Sequence, residues 1–156
     1  MRFGTAEATP GELAKGVIQL GEDPILPLLS PVLLARGAQP GPRLYIQCLI
    51  HGGENVGPLA TARFLRGLDL KQMKGSIAAL LCANPLGQRQ HSRLVTQDGT
   101  NLNRIFPGNP KGSVGEQIVH RLLALAGEHG GDAVLDLHSG GELTITAFYV
   151  IYDAKV

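Results

Sequence analysis

Short apolar runs alternate with segments of helical periodicity along most of this chain, and this alternation restricts the possible folds more than any other feature of the sequence. Residues 44–50, 76–82 and 133–138 are short apolar runs that predict strands, and the nearly continuous run at 44–50 is typical of a central strand that is covered on both faces. Residues 57–70 and 115–129 carry apolar side chains at helical spacing, which predicts two helices. Strands that alternate with helices predict a mixed, mostly parallel sheet with helices on its faces.

The remaining segments are less regular. Residues 16–20 form the best early strand candidate, and residues 143–152 form a late one. We predict an edge strand at 30–36, because the two prolines in and before it cannot donate hydrogen bonds within a sheet. The proline- and glycine-rich sequence at 39–42 predicts a turn.

Size and charge exclude several classes of protein. The 156 residues suffice for one domain with a sizeable core, and we expect 1–156 to be a single domain. The formal net charge is +1, so neither a nucleic-acid nor a membrane partner is expected. We expect a cytoplasmic protein, because the N-terminus lacks the pattern of a signal peptide and Cys48 and Cys82 lie in apolar runs outside any CxxC motif. The oligomeric state stays open.

Side chains that can bind a metal ion lie at the ends of two of the predicted apolar strands. His51 and Glu54 directly follow the run at 44–50, and His138 ends the run at 133–138. Ligands in such sheets bind beyond the carboxyl ends of the strands, so these three side chains can share one site. Two imidazoles and a carboxylate are the ligand set of a catalytic zinc site with an open fourth position. Alternatively, Glu54 begins a helix, where a carboxylate suits the helix dipole.

Asp136, two residues before His138, has two interpretations. It can orient the His138 imidazole from behind, or it can face away from the site and serve structure.

The polar loop at 88–110 is long and lacks periodicity, which is typical of a functional loop. Asn103 and Arg104 in this loop can anchor a substrate carboxylate, although both residue types are frequent on solvated loops. A cation near a metal can stabilise an oxyanion, and Arg89 and Arg93 are both candidates. Chemistry alone does not separate these two arginines from each other or from solvated cations.

Five motifs in one order carry a family resemblance. They are His51-Gly-Gly-Glu54, Asn84-Pro85, Arg93, the run from Asn101 to Gly108, and Asp136-Leu-His-Ser139. The set resembles the succinylglutamate desuccinylase/aspartoacylase family, within the broader zinc carboxypeptidase group, and it extends from about residue 41 to residue 139.

The resemblance implies a fold, a cofactor and a reaction. The implied fold is a three-layer α/β/α sandwich around a mixed sheet, and the implied reaction is hydrolysis of an amide in an N-acyl amino acid or a similar carboxylate-bearing small molecule. One zinc ion per chain is implied. The implied roles are metal binding by His51, Glu54 and His138, polarisation of the scissile carbonyl by Arg93, and binding of a substrate carboxylate by Asn103 and Arg104.

One departure from the family stands out. The family uses a glutamate well downstream of the third ligand as general base, and Glu142 is too close to His138 to match that position. We therefore expect this chain to be the N-terminal part of a longer enzyme. Two other interpretations remain: a metallocarboxypeptidase that acts on peptides, and an inert fragment that binds a metal and a carboxylate.

Overall fold

The structure, a computed structural model, describes residues 1–22, 26–129 and 131–140. The longer elements in chain order are β3 (Glu12–Glu22), β4 (Pro27–Arg36), β5 (Gln39–Cys48), α1 (Val56–Arg66), β6 (Lys74–Leu80), α3 (Val114–His129) and β7 (Ala133–Leu137). The short elements are β1 (Arg2–Phe3), β2 (Ala6–Glu7), α2 (Pro85–Arg89) and a 3₁₀ turn at Leu102–Arg104. None of the helices described is both long and apolar enough to cross a membrane.

Five strands form one mixed sheet in the order β3-β4-β6-β5-β7. The pairings of β4 with β3 and with β6 are antiparallel, whereas those of β5 with β6 and with β7 are parallel. Among the described residues of this sheet, antiparallel and parallel pairings are therefore equal in number, whereas the sequence predicts a mostly parallel sheet. The strands β1 and β2 form a separate antiparallel pair.

Helices cover both faces of the sheet, which confirms the predicted three-layer α/β/α sandwich. Tyr45 of β5 belongs to one buried cluster with Ile118 and other residues of α3. Its neighbour Ile46 belongs to a second cluster with Leu65 of α1. Successive residues of a strand point to opposite faces, so one apolar strand contributes to both layers. Complete burial of each such side chain stabilises the fold by roughly 1.5–3 kcal/mol.

Most predicted elements are present, with shifted boundaries. The helix predicted at 57–70 is α1, which ends earlier, at Arg66, because Gly67 caps it through hydrogen bonds from its N–H to Arg63 and Phe64 carbonyls. The predicted turn at 39–42 is instead the start of β5, where the register with β6 shifts between Gln39 and Arg43. The strand predicted at 143–152 lies outside the described residues.

The prediction that residues 30–36 form an edge strand is wrong. The strand β4 pairs on both sides and lies inside the sheet, with Pro31 opposite Val17 of β3. The N–H and carbonyl of Val17 bond to Thr5 on the other side of β3. Val17 and Pro31 are therefore a pair without mutual hydrogen bonds, so Pro31 needs no N–H towards β3. Its nitrogen faces the side of β6, where the register of β4 with β6 begins only at Val32. Its carbonyl accepts from the N–H of Leu81 at 3.0 Å.

Asp98 ties the long polar loop to the start of α3. Its carboxylate accepts from the N–H of Gly115 at 2.7 Å, and from the N–H and hydroxyl of Thr100 at 3.0 and 2.7 Å. Burial raises the pKa of Asp98, but these hydrogen bonds outweigh burial and hold the pKa below its usual value.

We expect Asp98→Asn to lower the free energy of unfolding at pH 7 by about 0.5–2 kcal/mol, the range for lost helix caps. Because folding lowers the Asp98 pKa, its stabilisation is present above the unfolded value of about 3.9 and is lost as the pH falls through the folded value. Urea unfolding of both proteins should therefore differ less at pH 3 than at pH 7. Asp69→Asn is the control, since Asp69 only bonds the N–H of Lys71 in an exposed turn. A difference independent of pH would contradict this account.

Candidate metal centre

The chain leaves the sheet abruptly before His51. Leu49, directly after β5, has a φ of 57°, in the left-handed region that costs an ordinary residue roughly 1–2 kcal/mol. Two hydrogen bonds hold this turn, from the Ala83 N–H to the Cys48 carbonyl at 2.8 Å and from the Asn84 N–H to the Leu49 carbonyl at 3.0 Å. The ends of β5 and β6 are thus joined where the 51–54 loop begins.

Gly52 brings this loop into contact with α2. Its N–H donates to the carbonyl of Ser92 at 2.9 Å. A Cβ at this position would lie 2.1 Å from the carbonyl carbon of Gly87 and 2.3 Å from the nitrogen of Gln88. Only glycine permits this approach, which fixes the backbone next to His51.

His51, Glu54 and His138 converge, as the sequence predicted. The His51 Nδ1 lies 2.9 Å from one oxygen of Glu54, and the His138 Nδ1 lies 3.0 Å from the other. The N–H of Ser139 also donates to Glu54, at 3.2 Å. Candidate ligand atoms of the three side chains all lie within 4.8 Å of one another, so the group can hold a metal ion. His51 and Glu54 are buried, with 3% and 5% of their surface exposed.

The outer nitrogen of each imidazole has its own partner. The His138 Nε2 lies 3.1 Å from the carboxylate of Asp136, so of the two interpretations of Asp136 the structure favours the orienting one. The His51 Nε2 lies 3.2 Å from the side-chain oxygen of Asn101. With a metal ion bound, an N–H donated from each Nε2 would leave the lone pair of Nδ1 facing that ion.

Sequence reasoning assigned no role to Asn101. It lies 50 residues from His51, and only the fold brings the two together. The available signal was its position in the Asn101–Gly108 motif, directly before the 3₁₀ turn whose Asn103 N–H it accepts at 3.0 Å.

The charges of the cluster are coupled. Burial raises the pKa of Glu54, but hydrogen bonds from His138, His51 and the Ser139 N–H outweigh it and lower the pKa to about 2. The hydrogen bond to Asp136 and then that to Glu54 raise the pKa of His138 to about 10. In the absence of a metal ion, the cluster therefore consists of a carboxylate beside a protonated imidazole, and a metal ion competes with that proton.

The donor set fits zinc. Imidazole nitrogen and carboxylate oxygen are ordinary zinc donors, and three of them leave a fourth position open. Adjacent ligands of tetrahedral zinc, each about 2.0–2.1 Å from the metal, lie roughly 3.3 Å apart. The nitrogen-to-oxygen distances of 2.9 and 3.0 Å reach different oxygens of Glu54, and the candidate ligand atoms lie within 4.8 Å of one another, so the three side chains would adjust around a metal ion to reach this spacing.

The structure separates the two candidate arginines. The Arg93 guanidinium lies 3.7 Å from Glu54 and is 56% exposed, so it is at the cluster and accessible. Arg89, at the end of α2, lines a different pocket.

Asn103 and Arg104 lie in the 3₁₀ turn beside the cluster. Asn101 bonds both the Asn103 N–H and His51, so this turn and the metal-ligand candidate share one side-chain oxygen. Arg104 is exposed and donates from Nη1 to the Asn103 carbonyl at 2.9 Å. This uses one of the five donors of a guanidinium.

With the geometry established, comparison with known proteins identifies the family. The family model of the succinylglutamate desuccinylase/aspartoacylase catalytic domain matches residues 40–155. The chain belongs to this family.

Members of the succinylglutamate desuccinylase/aspartoacylase family resemble the chain in sequence and structure. The N-alpha-acetyl-L-2,4-diaminobutyric acid deacetylase of Halomonas elongata is 31% identical over 82% of this chain and 38% of its own length. An aspartoacylase family protein from Mesorhizobium loti is 35% identical with a TM-score of 0.73, over 85% of this chain and 41% of its own. The ectoine utilization protein of Ruegeria pomeroyi, in a product-bound structure, is 25% identical with a TM-score of 0.69, over the same shares of 85% and 41%. The chain thus spans about two fifths of these relatives.

Were His51 to bind zinc, Asn101→Ala would lower the affinity for the ion by about 10–100-fold, the usual effect of removing a partner of a metal-bound histidine. The His51 ring would lose the acceptor that fixes its orientation and its proton on Nε2. Competition with a chromogenic zinc chelator measures this affinity. The control is Asn109→Ala, which removes only the acceptor of the Lys111 N–H in an exposed turn of the same loop. Equal affinities of the two variants would contradict a positioning role for Asn101.

Proposed function

We propose that the chain carries the metal centre and substrate anchor of a zinc-dependent hydrolase that cleaves the amide bond of an N-acyl amino acid. The observation that carries the proposal is the convergence of His51, Glu54 and His138, with both outer imidazole nitrogens bonded to further side chains. Two histidines with a purely structural role would not both need to place Nδ1 against the same carboxylate.

Several side chains of this chain have separate roles around the metal ion. A zinc ion held by the three side chains would supply Lewis-acid polarisation of the carbonyl and lower the pKa of a bound water. Asp136 and Asn101 hold the two histidines in the orientation that presents Nδ1. Arg93, exposed and 3.7 Å from Glu54, places a positive charge where an oxyanion would develop.

The 3₁₀ turn supplies the substrate anchor. Arg104 has unused donors in a planar fork that matches a carboxylate, and Asn103 lies directly beside it. A substrate held there by its α-carboxylate would present its acyl amide towards the cluster. The deacetylase of Halomonas elongata acts on an acetylated diamino acid, and this supports a short acyl group on an amino acid as the substrate class.

We place the proton acceptor outside the described residues. Both carboxylates seen at the cluster, Glu54 and Asp136, are bonded to histidines, and each would be needed there to bind or orient the metal. A general base must be free to take a proton from water and return it to the leaving amine.

For an enzyme that contains this chain together with its proton acceptor, the proposal predicts zinc-dependent release of amine from N-acetyl amino acids, N-acetyl-2,4-diaminobutyrate among them. Arg104→Met should chiefly raise KM, because it removes a contact of the substrate carboxylate, whereas Arg93→Met should lower kcat by about 10²–10³-fold, as for the loss of an oxyanion donor. The assay follows the free amine fluorometrically, with Arg66→Met, an exposed arginine on α1, as control. Preferential cleavage of peptides would instead support a carboxypeptidase. Zinc binding without turnover above free zinc would support an inert fragment.

A further inference from the structure

A second pocket lies behind the 51–54 loop, beside α1. Its volume is about 520 Å³, within the roughly 300–1,000 Å³ typical of small-molecule sites. Its walls are mostly apolar and include Leu29 of β4, Leu59 and Ala62 of α1, and Leu81 after β6. Leu29 and Leu59 are 47% and 72% exposed, so these walls are open to a ligand. The metal-ligand candidates and the carboxylate anchor do not line this pocket.

Three polar side chains line the pocket. Asn55 directly follows Glu54, while Gln88 and Arg89 are the last residues of α2. The backbone of Gly52 lies against that of Gln88, so the 51–54 loop and α2 meet beside the pocket. The pocket thus combines apolar walls with a few polar groups, the usual composition of a ligand site.

These polar groups have hydrogen-bonding capacity to spare. Arg89 is exposed and makes no ion pair or side-chain hydrogen bond with any described residue. Asn55 occupies the N-cap position of α1, yet its side chain makes no capping hydrogen bond, and its amide nitrogen donates only to the Gly53 carbonyl, at 3.5 Å.

We propose that this pocket binds a small amphipathic carboxylate. The carboxylate lies against the Arg89 guanidinium and the amides of Asn55 and Gln88, and the hydrocarbon lies between Leu29 and Leu59. A guanidinium fork matches one carboxylate, whereas binding to an anionic membrane requires a cluster of basic residues. The site is separate from the proposed hydrolytic centre and does not depend on zinc.

The test is a titration of the purified, metal-free chain with sodium octanoate, followed by ¹H–¹⁵N NMR. Saturable shifts are expected at the amides of pocket residues such as Leu49, Asn55 and Leu81. Acetate carries the charge without the hydrocarbon, and octanol carries the hydrocarbon without the charge, so both should bind at least tenfold more weakly. Octanol binding as tight as that of octanoate would overturn the proposal, as would the absence of saturable shifts with octanoate.

Single substitutions test where the carboxylate of octanoate binds. Arg89→Met and Leu59→Glu should each weaken octanoate binding by at least tenfold, and both change exposed side chains. Arg66→Met, at the exposed end of α1, should leave binding unchanged. Binding that survives Arg89→Met but is lost in Arg104→Met would place octanoate at the substrate anchor and overturn the proposal. Because no activity is measured and no metal is present, the result is independent of the proposed hydrolase function.

Discussion

His51→Ala should abolish stoichiometric zinc binding, with a loss of affinity greater than the roughly 100-fold expected for an outer partner of the site. His51 is buried and supplies one of only two candidate imidazoles that face Glu54 among the described residues. Without it, the remaining imidazole and carboxylate would have to hold the metal with water in place of a protein ligand.

The same substitution should make the chain insensitive to zinc in thermal unfolding. A ligand that binds only the folded state stabilises it by about 2.7 kcal/mol at a concentration 100 times its dissociation constant. Scanning calorimetry with and without zinc should therefore show a rise in Tm for the parent and none for His51→Ala. His120→Ala is the control, since His120 is exposed on α3, and it should retain the rise. A zinc-dependent rise in His51→Ala equal to that of the parent would contradict the assigned ligand set.

Gly52→Ala should destabilise the fold by more than the roughly 1–3 kcal/mol typical of overpacking. The added Cβ would meet backbone atoms of Gly87 and Gln88 at 2.1–2.4 Å, and backbone atoms cannot rotate away as a side chain can. The 51–54 loop would have to separate from α2, which would displace His51 as well, so zinc affinity should fall together with stability.

Gly53→Ala is the matched control for this prediction. A Cβ there would have its nearest contact at 3.4 Å, with the His91 carbonyl oxygen, so the neighbour would have to move only slightly. Urea unfolding at pH 7 compares the free energies of unfolding of both variants with that of the parent. Equal losses in the two variants would show that the contact between the loop and α2 does not determine the position of His51.

Local pattern predicted the longer strands and helices well, because β5, β6, α1 and α3 each bury apolar side chains. The strand β7 was also predicted, although most of its residues are exposed. It failed at Pro31, since an internal strand tolerates proline only where the pairing leaves its N–H position unused. That depends on the register between β3 and β4 and on the bonds of Val17 to Thr5, neither of which appears in local sequence.

The sequence predicted the part of the candidate site that lies at the ends of strands. His51 and His138 each follow a strand of one parallel pair, β5 and β7, so their meeting follows from topology. Asn101 could not be found in this way, because it reaches His51 from an irregular loop whose path depends on tertiary packing. Similarly, Arg89 and Arg93 are only four residues apart, but Arg93 lies at the cluster and Arg89 lines the second pocket. This separation depends on the end of α2 at Arg89.

Zinc-edge X-ray absorption of the purified, zinc-loaded chain tests the central claim most directly. The account predicts one zinc per chain with only nitrogen and oxygen neighbours at about 2.0–2.2 Å, two of them imidazoles, and a first shell that changes in His51→Ala. The two cysteines, Cys48 and Cys82, are free and buried, so no sulfur is expected. A neighbour at about 2.3 Å, the zinc–sulfur distance, or a first shell without imidazole would contradict the proposed centre.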